Sequence, residues 1–277
     1  MNSSRRRLMA LPIRERRTER KNMTIAKIND IELYYEVSGH GRPVILLAGF
    51  GSDHNFWKTT VPRISDEFSV ITIDNRGTGK TEYNGKFTLN DISDDVVALM
   101  DYLSIKTADI IGWSMGSQIA QWIGINHSER VRSLTLISSY RNRPSRSRYI
   151  LSSMANAVKA GAPGDILGIA INSFSLTEEF FEKTSENMIK VPVFSDIDGI
   201  LDQLDAINVS DTGDFCRFIT SPTLSIHGMM DIMVDVNEGD AVADYINGCK
   251  RIRLKNTGHS ISSSLYVDGL KSFLKSV

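Results

Sequence analysis

The sequence predicts a mostly parallel, doubly wound α/β sheet that opens with an antiparallel hairpin and carries a helical insertion late in the chain. Three observations carry that expectation. Short apolar runs bounded by Gly, Pro or Asp recur along the chain, as strands buried on both faces of a parallel sheet require. Stretches with helical spacing alternate with them, as crossover units do. From about residue 140 to residue 219 the strand-like runs stop, and only amphipathic helical segments continue.

Taken in chain order, residues 1–22 stand apart. Arg5, Arg6, Arg7, Arg14, Arg16, Arg17 and Arg20 lie there among few apolar residues, so the segment reads as a disordered tail and the fold is expected to begin at Met23. From Thr24 to Val37 two β-rich stretches flank Asn29-Asp30, a dipeptide suited to a tight hairpin turn. Buried strands are expected at 43–48 (PVILLA), 68–73 (FSVITI), 108–112 (ADIIG), 133–138 (SLTLIS), 222–227 (PTLSIH) and 250–254 (KRIRL). Helical spacing falls at 55–66, 89–103, 115–126 and 239–245, between or after those strands. Residues 23–139 and 220–277 should therefore build one core. Residues 140–219, with amphipathic segments at 150–160, 166–173, 178–188 and 197–207, should form a helical cap inserted over it.

Bulk composition narrows the partners. With 277 residues, 41% hydrophobic content, 23% charge and a net charge of -1, the chain suits one globular unit and offers no basic surface for nucleic acid. No apolar run approaches the roughly 18 residues needed to cross a bilayer or suggests a signal sequence, so no membrane partner and a cytoplasmic location are expected. Self-association into a homo-oligomer is left open. Cys216 and Cys249 stand without CxxC or His-rich neighbours and read as small apolar residues rather than disulfide or zinc ligands. Gly77-Thr78-Gly79-Lys80-Thr81 resembles the end of a phosphate-binding loop, but that motif needs glycine where Asp74 stands. No cofactor and no metal are expected.

Gly112-Trp113-Ser114-Met115-Gly116 matches G-x-S-x-G, placed directly after a strand-like run and directly before a helical one. At Gly and Ser frequencies of about 7%, such a match arises by chance in about one chain in ten of this length, so its placement carries the weight. A chain turning sharply from strand to helix needs glycines on both sides of a strained serine. The turn presents Ser114 to solvent at a helix N-terminus, where unsatisfied N–H groups favour developing negative charge.

A serine hydroxyl needs a base, and an imidazole can take its proton and return it to a leaving group. His259, in Thr257-Gly258-His259-Ser260 past the last strand, can hang over the serine. His227 at a strand end reads as packed, His127 as a surface residue and His40 as part of a Gly-rich turn. The acid that orients the base should also leave a strand's carboxyl end, as Asp231 does. Asp235 is its rival, one helical turn further on, where capping is the plainer role. The oxyanion that forms on attack should meet the backbone N–H of Met115 and one from the glycine-rich loop Ala48–Asp53, with Phe50 as the expected donor. Trp113, His54, Phe174 and Met154 are candidate substrate contacts, the latter two equally suited to a core.

Together LLAGFG, Asp74-Asn75-Arg76-Gly77-Thr78-Gly79, GWSMG, PTLSIHGMMD and GHS resemble the α/β-hydrolase superfamily. Within it the chain is most similar to the branch holding 3-oxoadipate enol-lactonase, cofactor-free haloperoxidase-type esterases and carbon-carbon hydrolases. That resemblance implies an α/β-hydrolase fold, a Ser114, Asp231 and His259 triad, Phe50 and Met115 as oxyanion donors, and a helical cap shaping the pocket. Ala48 stands where members often carry the histidine that braces the oxyanion loop, and Arg76 reads as structural. The expected activity is hydrolysis of an ester, lactone or thioester of a small to medium, largely apolar substrate through an acyl-enzyme. A lyase or carbon-carbon hydrolase using the same triad is the alternative, and a ligand-binding protein on a retired hydrolase fold a further one.

Overall fold

At Asn29 the chain enters the left-handed region, with φ 46°, and folds β1 (Asn22–Ile28) back onto β2 (Ile31–Ser38) with Ile28 opposite Ile31. This hairpin opens a computed structural model that describes residues 22–194 and 196–277. The expectation of a disordered tail falls, Asn22 aside, outside the described residues. The following strands are β3 (Arg42–Leu47), β4 (Phe68–Ile73), β5 (Ala108–Trp113), β6 (Val131–Ile137), β7 (Thr223–Gly228) and β8 (Lys250–Leu254). They form one sheet in the order β1-β2-β4-β3-β5-β6-β7-β8. The pairs β1 with β2 and β2 with β4 are antiparallel, and every pair from β4 to β8 is parallel. This is the α/β-hydrolase fold, as the sequence leads one to expect.

Helices follow as α1 (Val61–Ile64), α2 (Leu89–Tyr102), α3 (Met115–Asn126), α4 (Ser145–Lys159), α5 (Asp165–Ser175), α6 (Glu178–Lys183), α7 (Ile197–Val209), α8 (Val236–Tyr245) and α9 (Ser263–Lys275). Side-chain alternation along the strands divides the core into two layers. Ile45, Leu47 and Ile110 face α2 and α3 through Val96, Leu99 and Ile119, while Val44, Leu46 and Ile111 face α1 and α9 through Ile64, Leu270 and Leu274. Between β6 and β7 lie α4 to α7, which gather Leu151, Ala155, Ala170, Leu201 and Leu204 into a smaller apolar cluster of their own.

Two expectations need correction. The helical stretch at 55–66 is a 3-10 helix over His54–Thr59 followed by the four-residue α1, because Pro62 in the first turn of α1 lets a helix start but not continue from the preceding turn. The KRIRL run is not a strand buried on both faces. It is the edge strand β8, paired only with β7, and its Arg251 and Arg253 reach out to Asp240 and Asp244 of α8. Among the described residues no helix is long and apolar enough to cross a membrane.

Candidate active site

The turn from β5 into α3 is forced by close packing. A Cβ on Gly112 would lie 2.1 Å from the Gly116 carbonyl oxygen, and one on Gly116 would lie 2.1 Å from that of Leu47. Only glycine fits at either position, since real Cβ atoms do not approach backbone that closely. Between them Ser114 sits at φ 54° and ψ -114°, a conformation L-residues avoid unless their surroundings impose it. Met115 begins α3, so its N–H is one of those without an intrahelical acceptor. Gly49, at the end of β3, lies with its Cα face 3.5 Å from the Ser114 Cβ, measured from an ideal Cβ, and brings Phe50 alongside the elbow.

The loops after β7 and β8 bring the imidazole and the carboxylate together. His259 Nδ1 lies 2.7 Å from Asp231 Oδ2, with the two residues 6% and 4% exposed. Asp231 Oδ1 also accepts the backbone N–H groups of Met233 at 2.9 Å and Val234 at 2.8 Å. Burial alone would raise this carboxyl's pKa. Attraction to His259, hydrogen bonds from His227 and His259 and the Val234 N–H outweigh it and hold the pKa down at about 2. With Nδ1 turned to the acid, the other ring nitrogen of His259 is left for chemistry. Asp235 takes the plainer role and caps α8 through the Asn237 N–H.

Ser114 and His259 line one cavity of about 240 Å³, but their side chains are not hydrogen-bonded to each other among the described residues. Tyr140, a buried phenol just past β6, lines the same cavity. Its pKa is pushed up to about 12 by burial, while Arg143 and Ser114 draw it the other way. The rest of the wall is mostly apolar, with Phe56, Trp113, Leu151, Ile171, Leu176, Ile207 and Met233 among its residues.

The loop after β3 is braced from α7. Gln203 of α7, fully buried, accepts the Gly51 N–H at 3.0 Å and donates to the Arg76 carbonyl at 2.7 Å. Arg76 itself is structural in its contacts, bonded to Asp95 at 2.6 Å and Asp30 at 2.6 Å. The Gly77–Thr81 stretch wraps the Asp74 carboxylate, which accepts the Lys80 N–H at 2.9 Å.

Of the candidate substrate contacts, Trp113 lines the cavity and the other three do not. His54 is turned the other way, with Nδ1 2.7 Å from Asp74 and Nε2 3.4 Å from Glu36. Met154 packs into the apolar cluster of α4, α5 and α7, and Phe174 is half-buried outside the cavity. Asp53, His54 and Asp74 place metal-ligating atoms within 4.8 Å of one another, but His54 and Asp74 already bond each other. His227 reads correctly as packed, and it also lies 3.3 Å from Asp231 Oδ2 while Nε2 donates to the Val234 carbonyl at 2.9 Å. Tyr140, Arg143 and Gln203 were not legible as site residues. For the first two the available signal was their position just beyond a central strand's carboxyl end.

The sequence model of a family described as alpha/beta hydrolase fold matches residues 42–263. The chain is 25% identical to 3-oxoadipate enol-lactonase 1 of Acinetobacter baylyi over 220 residues, 78% of this chain and 81% of that one. It is 30% identical over 246 residues to a Mycobacterium tuberculosis protein named as a non-heme bromoperoxidase, covering 83% of this chain and 91% of that one. Among solved structures, an enol-lactonase from Burkholderia xenovorans LB400 superposes with a TM-score of 0.82 at 26% identity, covering 91% of this chain and 100% of the other.

Proposed function

Because the chain belongs to the alpha/beta hydrolase fold family, we propose that it is a serine hydrolase that attacks an ester-like carbonyl with Ser114 and passes through an acyl-enzyme. One observation carries this reading. A serine held at positive φ shares a cavity with His259, whose far nitrogen is held 2.7 Å from a carboxylate that stays ionised.

In this reading His259 takes the Ser114 proton as Oγ bonds to the carbonyl carbon, and the carbonyl oxygen becomes an anion held by the Phe50 and Met115 N–H groups. Expulsion of the leaving oxygen, protonated by His259, leaves the acyl-enzyme. Water, deprotonated by the same imidazole, then releases the acid. Substrate binding commonly tightens a serine–histidine contact that is not yet formed in the free protein. Asp231 orients the imidazole and stabilises its cation without itself gaining the proton.

Residues 140–219 act as the cap in this account. Arg143, Leu151, Ile171, Pro192 and Ile207, all from that stretch, line the cavity that Ser114 also lines. The cavity's size and its largely apolar wall favour a small to medium substrate, an ester, lactone or thioester. The names of the relatives as lactonases agree with that class.

Rapid mixing with a p-nitrophenyl ester tests the mechanism. An initial burst of p-nitrophenol approaching one equivalent per chain, followed by slower turnover, is expected of the wild type, with both phases absent from Ser114→Ala. Turnover that persists in Ser114→Ala would overturn the assignment.

A further inference from the structure

We propose that His227 is a positioning residue for the triad, fixing the loop that bears Asp231 so that the carboxylate meets the His259 imidazole in one geometry. The proposal deepens the serine-hydrolase reading and rests on it for the roles of Asp231 and His259.

The first ground is what a buried imidazole needs. His227 lies near the carboxyl end of β7 and is fully buried. An apolar side chain would fill such a space without bringing in polar atoms, and burying a ring nitrogen that bonds nothing is costly. Here one nitrogen is left in that state. Nδ1 has no hydrogen-bond partner among the described residues and lies against Gly239 of α8, where an ideal Cβ would stand 2.2 Å from it. Nε2 lies 2.9 Å from the Val234 carbonyl oxygen, which only accepts, so Nε2 carries the ring proton. What offsets the unpaired Nδ1 therefore has to lie on the Nε2 side.

The second ground is what that N–H reaches. Nε2 also lies 3.3 Å from Asp231 Oδ2, the oxygen that His259 Nδ1 approaches at 2.7 Å. Val234, whose carbonyl His227 holds, returns its own N–H to Asp231 Oδ1 at 2.8 Å, beside that of Met233 at 2.9 Å. The contacts close a ring that runs from the imidazole to the Val234 carbonyl, from the Val234 N–H to Oδ1, and from Oδ2 back beside the imidazole. Turning the carboxylate away from His259 would break contacts at both of its oxygens. Burial raises the Asp231 pKa, and attraction to His259 followed by the His227 N–H brings it down to about 2.

The third ground is that this ring is registered directly against the base loop. A Cβ on Gly228, the next residue, would lie 2.3 Å from the carbonyl oxygens of both Thr257 and Gly258. The Met230 N–H donates to the Thr257 carbonyl at 2.9 Å. Acid and base loops thus touch backbone to backbone, and a shift on the acid side changes its aim at His259. The charges on neighbouring elements are matched elsewhere. Arg253 of β8, opposite His227 in register, pairs with Asp240 of α8, and Asp235 caps that helix.

A double-mutant cycle with Asp231, read by steady-state hydrolysis of p-nitrophenyl butyrate, decides the matter. We expect His227→Phe to lower kcat about tenfold with KM within about twofold, and His227→Gln, whose amide can donate from the Nε2 position, to recover most of the loss. With Asp231→Asn already in place, His227→Phe should change kcat by less than about twofold. A ring that only fills space would cost the same in both backgrounds, and His227→Gln would do no better than His227→Phe. Either of those results, or an undiminished kcat in His227→Phe, would overturn the proposal. Should His227→Phe not fold, His227→Asn, too short to reach Val234, takes its place in the cycle. Proton NMR of the His259 Nδ1–H reads the same contact without chemistry. Its downfield signal should be sharp in wild type and His227→Gln and broadened or moved upfield in His227→Phe, and a signal indifferent to residue 227 would count against the proposal. A protein that hydrolyses no ester yet shows that dependence on residue 227 would keep the positioning role and overturn the serine-hydrolase reading instead.

Discussion

Asp231 is held by His259, by two backbone N–H groups and by the nearby His227, and each favours its charged form. If that charge is what orients and stabilises the imidazole, Asp231→Asn should lower kcat about 10³- to 10⁴-fold while KM changes little, which steady-state kinetics will read. Arg76 makes a second residue-scale prediction. Removing it in Arg76→Met leaves Asp95, 1% exposed, as a buried charge without its partner, and urea unfolding should show a loss of about 3 kcal/mol or more. Asp30→Ala takes away the other partner, whose side chain is 61% exposed, and should cost no more than about 1 kcal/mol. At this scale much of the site was legible. Ser114, Asp231 and His259 are marked by residue type at strand ends, and G-x-S-x-G carries its own steric demand. Arg143 was not, because four arginines between residues 141 and 148 look alike in sequence, and only packing decides which one is buried.

Two elements meet at the loop after β3, and each can be loosened separately. Gly116→Ala would press a methyl group into the Leu47 carbonyl at 2.1 Å, against backbone that cannot yield cheaply. Thermal unfolding should fall by about 5 °C or more, if the variant folds at all. Gln203→Ala acts from the far side. It strands the Gly51 N–H and the Arg76 carbonyl and frees the loop that bears Phe50. Its kcat should drop by about 10- to 100-fold, short of the loss expected for a missing oxyanion donor, with a smaller change in KM. The strands and long helices were readable because their apolar spacing is local. The bond from Gln203 was not, since 152 positions separate it from Gly51 and no spacing rule spans them. The KRIRL run misled for a related reason: arginine stems can flank an edge strand as easily as apolar residues flank a central one.

Across the molecule, two apolar layers clamp a sheet whose carboxyl ends carry the Ser114 turn and the loops of Asp231 and His259, and residues of α4, α5 and α7 line the cavity beside them. Global stability should register the site through Asp231. Its pKa of about 2 lies below the ordinary aspartate value of about 3.9, so the folded state binds this proton less readily than the unfolded chain. The resulting stabilisation is complete above about pH 4 and lost as the pH falls to about 2. The urea midpoint should decline over that window, and less steeply in Asp231→Asn. The central claim, that Ser114 is an activated nucleophile, is tested most directly by intact mass after treatment with a fluorophosphonate. One adduct per wild-type chain, absent from Ser114→Ala and strongly slowed in His259→Ala, is the predicted result. An unmodified wild type, or equal labelling of the wild type and Ser114→Ala, would contradict the account.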